Sequence, residues 1–148
     1  MLADQILQRK GRDVSTIPPD ATVRAAAEAL ASANVGALVV SPDGSALAGI
    51  LSERDIVRRL AAAGPSLLDE PVSSIMQADV HTCAGADNVD QLMELMTEHR
   101  IRHLPVVEGD ALCGIISIGD VVKTRVDELV TEKEQLVDYI RGRRAAAG

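Results

Sequence analysis

Two Ser-x-x-Asp quartets hold the residue types best suited to chemistry in this chain. Ser52 and Asp55 follow the apolar run Gly49-Ile50-Leu51, and Ser117 and Asp120 follow Gly114-Ile115-Ile116. In each, a strand-like run stops at the Ser and a helical pattern begins. Such a corner points free N–H groups and the positive end of the helix dipole outward, which suits a phosphate. A carboxylate one turn further on can accept from two vicinal hydroxyls, as acidic side chains do when they select a ribose. The same spacing is also a helix capping box, with Ser bonding a first-turn N–H and Asp reaching back. The two readings are compatible.

Basic residues flank both corners. Arg54 lies inside the first quartet, where the second has Gly119, and Arg102-His103 stand where the first half has Gly36-Ala37. A single Arg is ordinarily a solvated surface group. Here the cations cluster where phosphates would sit, and their unequal distribution predicts two unequal sites.

The elements that must position these residues occur twice. Residues 14–17 read as a brief strand cut by Pro18-Pro19, and residues 20–33 as an Ala-rich helix with Val23, Ala26, Ala27 and Leu30 at helical spacing. Residues 35–41 and 47–52 read as strands around Pro42-Asp43-Gly44, and residues 55–63 as a helix. After the breaker Gly64-Pro65 and a connector at 67–77 containing one helical turn, the order returns. It runs through a strand at 80–83, a helix at 88–99, strands at 103–108 and 111–117, and a closing helix. An offset of 66 residues pairs Val14 with Val80, Glu28 with Glu94 and Leu38 with Leu104. After the turn the offset is 65, pairing Gly49 with Gly114, Ser52 with Ser117 and Asp55 with Asp120. One gap placed in a turn is what a duplication tolerates. A short amphipathic helix at 2–8 precedes the first repeat. An apolar stripe of Val122, Val126, Leu129, Leu136, Val137 and Ile140 carries the last helix to about residue 141, to pack on a second subunit or on the N-terminal helix. Residues 141–148 read as a frayed tail.

Composition excludes several function classes. The 148 residues hold one Tyr and no Phe or Trp, at a net charge of −7. Stacking platforms and a basic surface are both lacking, which argues against nucleic acid. No apolar run reaches membrane length, nothing signal-like opens the sequence, and the two Cys form no CxxC, so the expected setting is a reducing cytoplasm without a membrane role. Catalysis is not expected. His81 and Cys83 alternate along a strand and face opposite sides. His99 and His103 straddle a helix end and miss the two-ligand helical spacing. The two Asp belong to separate corners.

The doubled β-α-β-β-α unit, ending each time in Gly-Ile-(Leu/Ile)-Ser-x-x-Asp, resembles a tandem pair of CBS domains, the cystathionine-beta-synthase type that pairs into a Bateman module. The resemblance covers roughly residues 14–123 and is to the stand-alone bacterial members. It implies an α/β (α+β) fold of two pseudo-symmetric units packed through their sheets, with adenosyl ligands in the clefts between them and association into a homodimer. It also implies that Asp55 and Asp120 hold ribose and Ser52 and Ser117 the phosphate side. Thr16, Ile17, Thr82 and Cys83 would line the adenine pockets, and Arg54, Arg102 and His103 would meet phosphates. The first half departs from the pattern at Gly36-Ala37 and at Val39, where the second has Pro105.

The expected organisation is therefore an N-terminal helix with a first unit at 1–66, and a connector, second unit and C-terminal helix at 67–148. The expected function is a regulatory adenine-nucleotide-binding module without catalysis or metal. AMP is the leading ligand, beside ATP, ADP, NAD(H) and S-adenosylmethionine, and the regulated protein partner is not encoded. The competing expectation is a ligand-independent scaffold.

Overall fold

Helix starts are set by short polar side chains. In the computed structural model, which describes residues 1–147 and side chains through residue 143, Thr22 Oγ1 accepts from Ala25 N at 3.1 Å and opens α2 (Val23–Ala33) three residues later than the Ala-rich pattern suggested. Asn88 and Gln91 form a reciprocal box at 2.9 and 2.8 Å that opens α4 (Val89–His99). Side-chain acceptors at these positions satisfy N–H groups that have no partner inside the helix.

The first unit runs β1 (Thr16–Ile17), α2, β2 (Ala37–Val40), β3 (Gly49–Ser52) and α3 (Glu53–Ala63). Its sheet has the order β1-β2-β3, with β1 parallel and β3 antiparallel to β2. The second unit has α4, β4 (His103–Glu108), β5 (Ala111–Ser117) and α5 (Ile118–Ala147), with β4 and β5 antiparallel. The strand expected at 80–83 is reduced to a single parallel bridge between Cys83 and Val106. The cause is one residue. In the first unit Val39 N donates to Ser15 O at 3.1 Å and Ser41 N to Ile17 O at 2.9 Å. In the second, Val107 N donates to Cys83 O at 2.9 Å, but Pro105 stands where Val39 does and has no N–H to give His81.

Each unit has its own core, and each core takes in the segment that leads into the opposite unit. The first gathers Leu38, Val40 and Leu51 with Leu67, Val72 and Ile75 of the connector. The second gathers Leu92, Leu104 and Ile116 with Ala3, Ile6 and Leu7 of α1 (Ala3–Lys10). The segment leading into the first unit therefore packs on the second, while the connector into the second unit packs on the first. Two matched glycines make room for these segments. A Cβ on Gly49 would lie 2.7 Å from Met76 Sδ and 2.9 Å from the Gln77 carbonyl oxygen, and one on Gly114 would lie 2.7 Å from the Leu7 methyls.

The last helix is longer than its sequence pattern indicated. The residues read as a frayed tail continue it as α5 through Ala147, and Gly148 lies outside the described residues. Its first turns bury Val121 and Thr124. Arg9 on α1 reaches Asp127 at 3.3 Å, so α5 does meet the N-terminal helix, but through charge. Its apolar stripe remains exposed at Val126, Leu129, Leu136 and Ile140.

Candidate functional site

Both Ser-x-x-Asp quartets are capping boxes. Asp55 Oδ2 accepts from the Ser52 N–H and hydroxyl, each at 2.9 Å, and Asp55 N donates to Ser52 Oγ at 3.2 Å. Asp120 Oδ2 accepts from Ser117 N at 2.9 Å, and Asp120 N donates to Ser117 Oγ at 3.2 Å. Sheet register sets the neighbours of each Ser, since Ala37 pairs with Ser52 and His103 with Ser117. The first N–H of each helix is also used: Glu53 N donates to Gly36 O at 3.0 Å and Ile118 N to Arg102 O at 2.8 Å.

A cleft of about 800 Å³ opens between the first corner and the second unit. From the first unit it is lined by Ser52, Arg54, Asp55 and Arg58, and from the second by His99, Arg100, Arg102, His103 and Ser117. Six of the residues expected from sequence thus share one cavity: Ser52, Arg54, Asp55, Arg102, His103 and Ser117. Small residues in the first half explain part of the asymmetry between repeats. A Cβ on Gly36 would lie 3.5 Å from His103 Cε1, so the first unit is small where the second is large.

The other expected residues lie outside this cleft. Ile17 and Cys83 are buried in the two cores, and their carbonyls are bonded to the neighbouring strands. Thr16 is exposed on β1 and Thr82 is half-buried beside Cys83. Burial, with Asp87 adding a smaller effect, pushes the Cys83 thiol up to about 12, so it stays protonated and unreactive.

Asp120 faces a different neighbour. Lys10 Nζ, at the end of α1, lies 2.5 Å from Asp120 Oδ2 and 2.9 Å from Ile115 O. Asp55 is met from the matching side by Gln77 of the connector, whose Nε2 donates to Oδ1 at 3.2 Å. The segment leading into each unit clasps the carboxylate of the opposite one, with an ammonium in one case and a neutral amide in the other. Burial alone would raise the Asp120 pKa, but the Lys10 side chain and the Ser117 N–H outweigh it and hold it below the ordinary 3.8. A depressed carboxyl contributes stability in full above its unfolded pKa and loses it as pH falls through the folded one. Lys10→Gln is therefore expected to be less stable than the parent by about 1 kcal/mol at neutral pH. The gap should close below pH 3.8, as read from urea unfolding across a pH series.

His103 is biased toward its neutral form. Burial is the largest cause, Lys10 and Arg102 act in the same direction, and Asp120 and Glu53 oppose them. It enters the cleft as a hydrogen-bonding ring rather than a fixed cation. His81 and His99 stack face to face with ring centroids 3.7 Å apart, a geometry that does not converge on a metal. Among the described residues no group of three His, Cys, Asp or Glu side chains could hold a metal ion, and no helix is long and apolar enough to cross a membrane.

Sequence reading missed Arg58 and Arg100. Arg58 stands four residues after Arg54 on α3, the spacing that puts two side chains on one helix face, so its signal was present. Arg100 ends α4 and carries no periodic signal of its own.

Two repeated units, each carrying a capped strand-to-helix corner, define a paired-repeat α/β architecture. A CBS domain family model matches residues 7–62 and 72–127, and the chain belongs to that family as a tandem pair. A mitochondrial CBS domain-containing protein of Arabidopsis thaliana is 41% identical over 127 residues, which are 83% of this chain and 62% of that protein. This chain therefore spans less than two thirds of that relative. A CBS-domain-containing protein of Agrobacterium tumefaciens has a crystal structure with a TM-score of 0.81 and 45% identity, covering 84% of this chain and 99% of its own. A CBS domain protein of Pyrobaculum aerophilum, solved in complex with AMP, aligns at a TM-score of 0.71 with 32% identity, over 81% of this chain and 89% of its own.

Proposed function

We propose that this chain is a regulatory module that binds an adenine nucleotide in the cleft between its two units. The observation that carries this reading is the convergence of Ser52, Arg54 and Asp55 of one unit with Arg102, His103 and Ser117 of the other. A diol acceptor, a helix N-terminus and guanidinium groups are the three things a nucleoside phosphate needs. The AMP complex of the Pyrobaculum relative supports the ligand class. Asp120 belongs, in this reading, to the second corner, which Lys10 keeps the weaker of the two. Ligand bridging the units shifts their packing and so the surface offered to a protein partner, which requires the two arrangements to differ in affinity for it. Thermal melting against AMP, ADP, ATP, NAD+, NADH and S-adenosylmethionine tests the reading. A ligand at about 100 times its Kd adds roughly 2.7 kcal/mol, and absence of any shift for nucleotide-free protein would leave the scaffold reading in its place.

The exposed stripe of α5 supports homodimerisation as part of the same proposal. Val126, Leu129, Leu136 and Ile140 recur at spacings that sum to heptads and stay between 44 and 60% exposed. Lys133 falls in the same seam, a polar core position of the kind that fixes register. Leu129→Glu is expected to convert a dimer to a monomer in light scattering while leaving the far-ultraviolet spectrum intact. A parent protein that is already monomeric at that concentration would refute this assembly.

A further inference from the structure

Arg100 pairs with Asn34 across the duplication, and both end their helices in the left-handed region, at φ 53° and ψ 44° for Arg100 and φ 53° and ψ 48° for Asn34. They are the only non-glycine residues with positive φ among those described. The motif is the same in both units: Ile101 N donates to Met96 O at 3.0 Å and Val35 N to Leu30 O at 3.2 Å. Asn tolerates this conformation because its short amide bonds locally, whereas Arg gains nothing comparable and its Cβ crowds the backbone. The fold would accept Asn or Gly at position 100, yet a strained Arg stands there. The helix end requires the left-handed backbone but not an Arg, and a residue kept in a conformation that suits it poorly is a feature of binding sites.

Its surroundings say what it binds. Arg54, Arg58, Arg100 and Arg102 line the one cleft, against the carboxylates of Glu53 and Asp55. Among the described residues none of the four forms an ion pair. The protein as a whole carries −7, so four unpaired guanidinium groups, two from each unit, create in the cleft a local field opposite to that of the molecule. One phosphate is served by one or two guanidinium forks. Four match a chain of phosphates.

We infer that Arg100 is a phosphate-binding residue and that the cleft is shaped for a nucleoside polyphosphate rather than a monophosphate. This rests on the nucleotide reading above and specifies its ligand. A ribose on Asp55 leaves the phosphate chain to run across Arg54 and Arg58 toward Arg100 and Arg102 on the facing unit. Arg100 thereby makes the link between units depend on chain length.

Calorimetric titration of the full chain with AMP, ADP, ATP and inorganic tripolyphosphate tests this, beside Arg100→Asn and Arg100→Lys. Affinity is expected to rise from AMP to ADP to ATP. Arg100→Asn should weaken ATP about tenfold, the loss of one charge-assisted contact, and change AMP less than about twofold on the same scale. It should also melt about 2–4 °C higher through relief of the strain, and Arg100→Lys should recover most of the ATP affinity at the parent's melting temperature. AMP binding as tightly as ATP, or ATP binding indifferent to Arg100, overturns the inference and leaves the nucleotide reading standing. Tripolyphosphate binding that needs Arg100, with no preference for adenosine, keeps Arg100 as a phosphate-binding residue but overturns the nucleotide reading and the nucleoside part of the inference with it. No binding of any of the four overturns both.

Discussion

Asp55→Ala is expected to weaken adenine-nucleotide binding about 100-fold or more, the loss of two hydrogen bonds to a charged group at roughly 1.5–3 kcal/mol each. The carboxylate is set up for this. Its Oδ2 is occupied by the Ser52 N–H and hydroxyl, which fix its orientation, while Oδ1 holds only the Gln77 amide at 3.2 Å. A neutral donor at that distance is easily exchanged for a ribose hydroxyl. Asp55→Asn separates the roles. It keeps an oxygen for the capping contact and loses the charge, so binding should fall about tenfold with little change in melting. If Asp55→Ala lowers stability by about 1 kcal/mol and leaves the nucleotide affinity unchanged, the quartet is only a helix cap and the first corner is not a ribose site.

Much of this architecture was readable because the duplication supplied two copies of each signal. The strands His103–Glu108 and Ala111–Ser117 match the apolar runs around Gly109 residue for residue. Helix interiors followed their apolar periodicity, and their starts were displaced only where a cap decided the matter, as Thr22 does for α2. The missing strand at 80–83 was legible in principle. Pro105 has no N–H, and the duplication pairs it with a Val39 that uses one.

What sequence did not give is which segments cross between units. Nothing local in Leu2-Ala3-Asp4-Gln5-Ile6-Leu7 says that its apolar face belongs to the distant core, or that Lys10 will lie against Asp120. The same gap hid the inequality of the two corners. The departures Arg54/Gly119 and Gly36-Ala37/Arg102-His103 were visible as differences. Their shared cleft follows from the units facing each other, which no periodicity encodes. Arg100 was overlooked because a helix terminus is ordinarily solvated. Only its counterpart Asn34, a residue at ease in the left-handed region, marks it as unusual.

Leu7→Ala is expected to destabilise the protein by about 3–4 kcal/mol, within the usual range for a buried Leu truncated to Ala. That is a large share of the roughly 5–15 kcal/mol that holds a domain together. Leu7 is fully buried, and its methyls fill the space that a side chain at position 114 would need. Helix α1 has eight residues, too few to persist without tertiary packing, and only Ala3, Ile6 and Leu7 supply it. A cavity at Leu7 should therefore release the helix as a unit and take Lys10 away from Asp120, so that Lys10→Gln costs nothing further in that background. Gly114→Ala is expected to destabilise by about 1–3 kcal/mol through overpacking. The double variant tests the contact itself, since the alanine methyl then enters the space Leu7 vacates and the two losses should fall short of additive by about 1 kcal/mol or more. Strict additivity in urea unfolding would mean that the helix does not seat on Gly114. A loss below about 1 kcal/mol for Leu7→Ala alone would make α1 a detachable arm, and the Lys10 clasp on the second corner would then not govern which site fills.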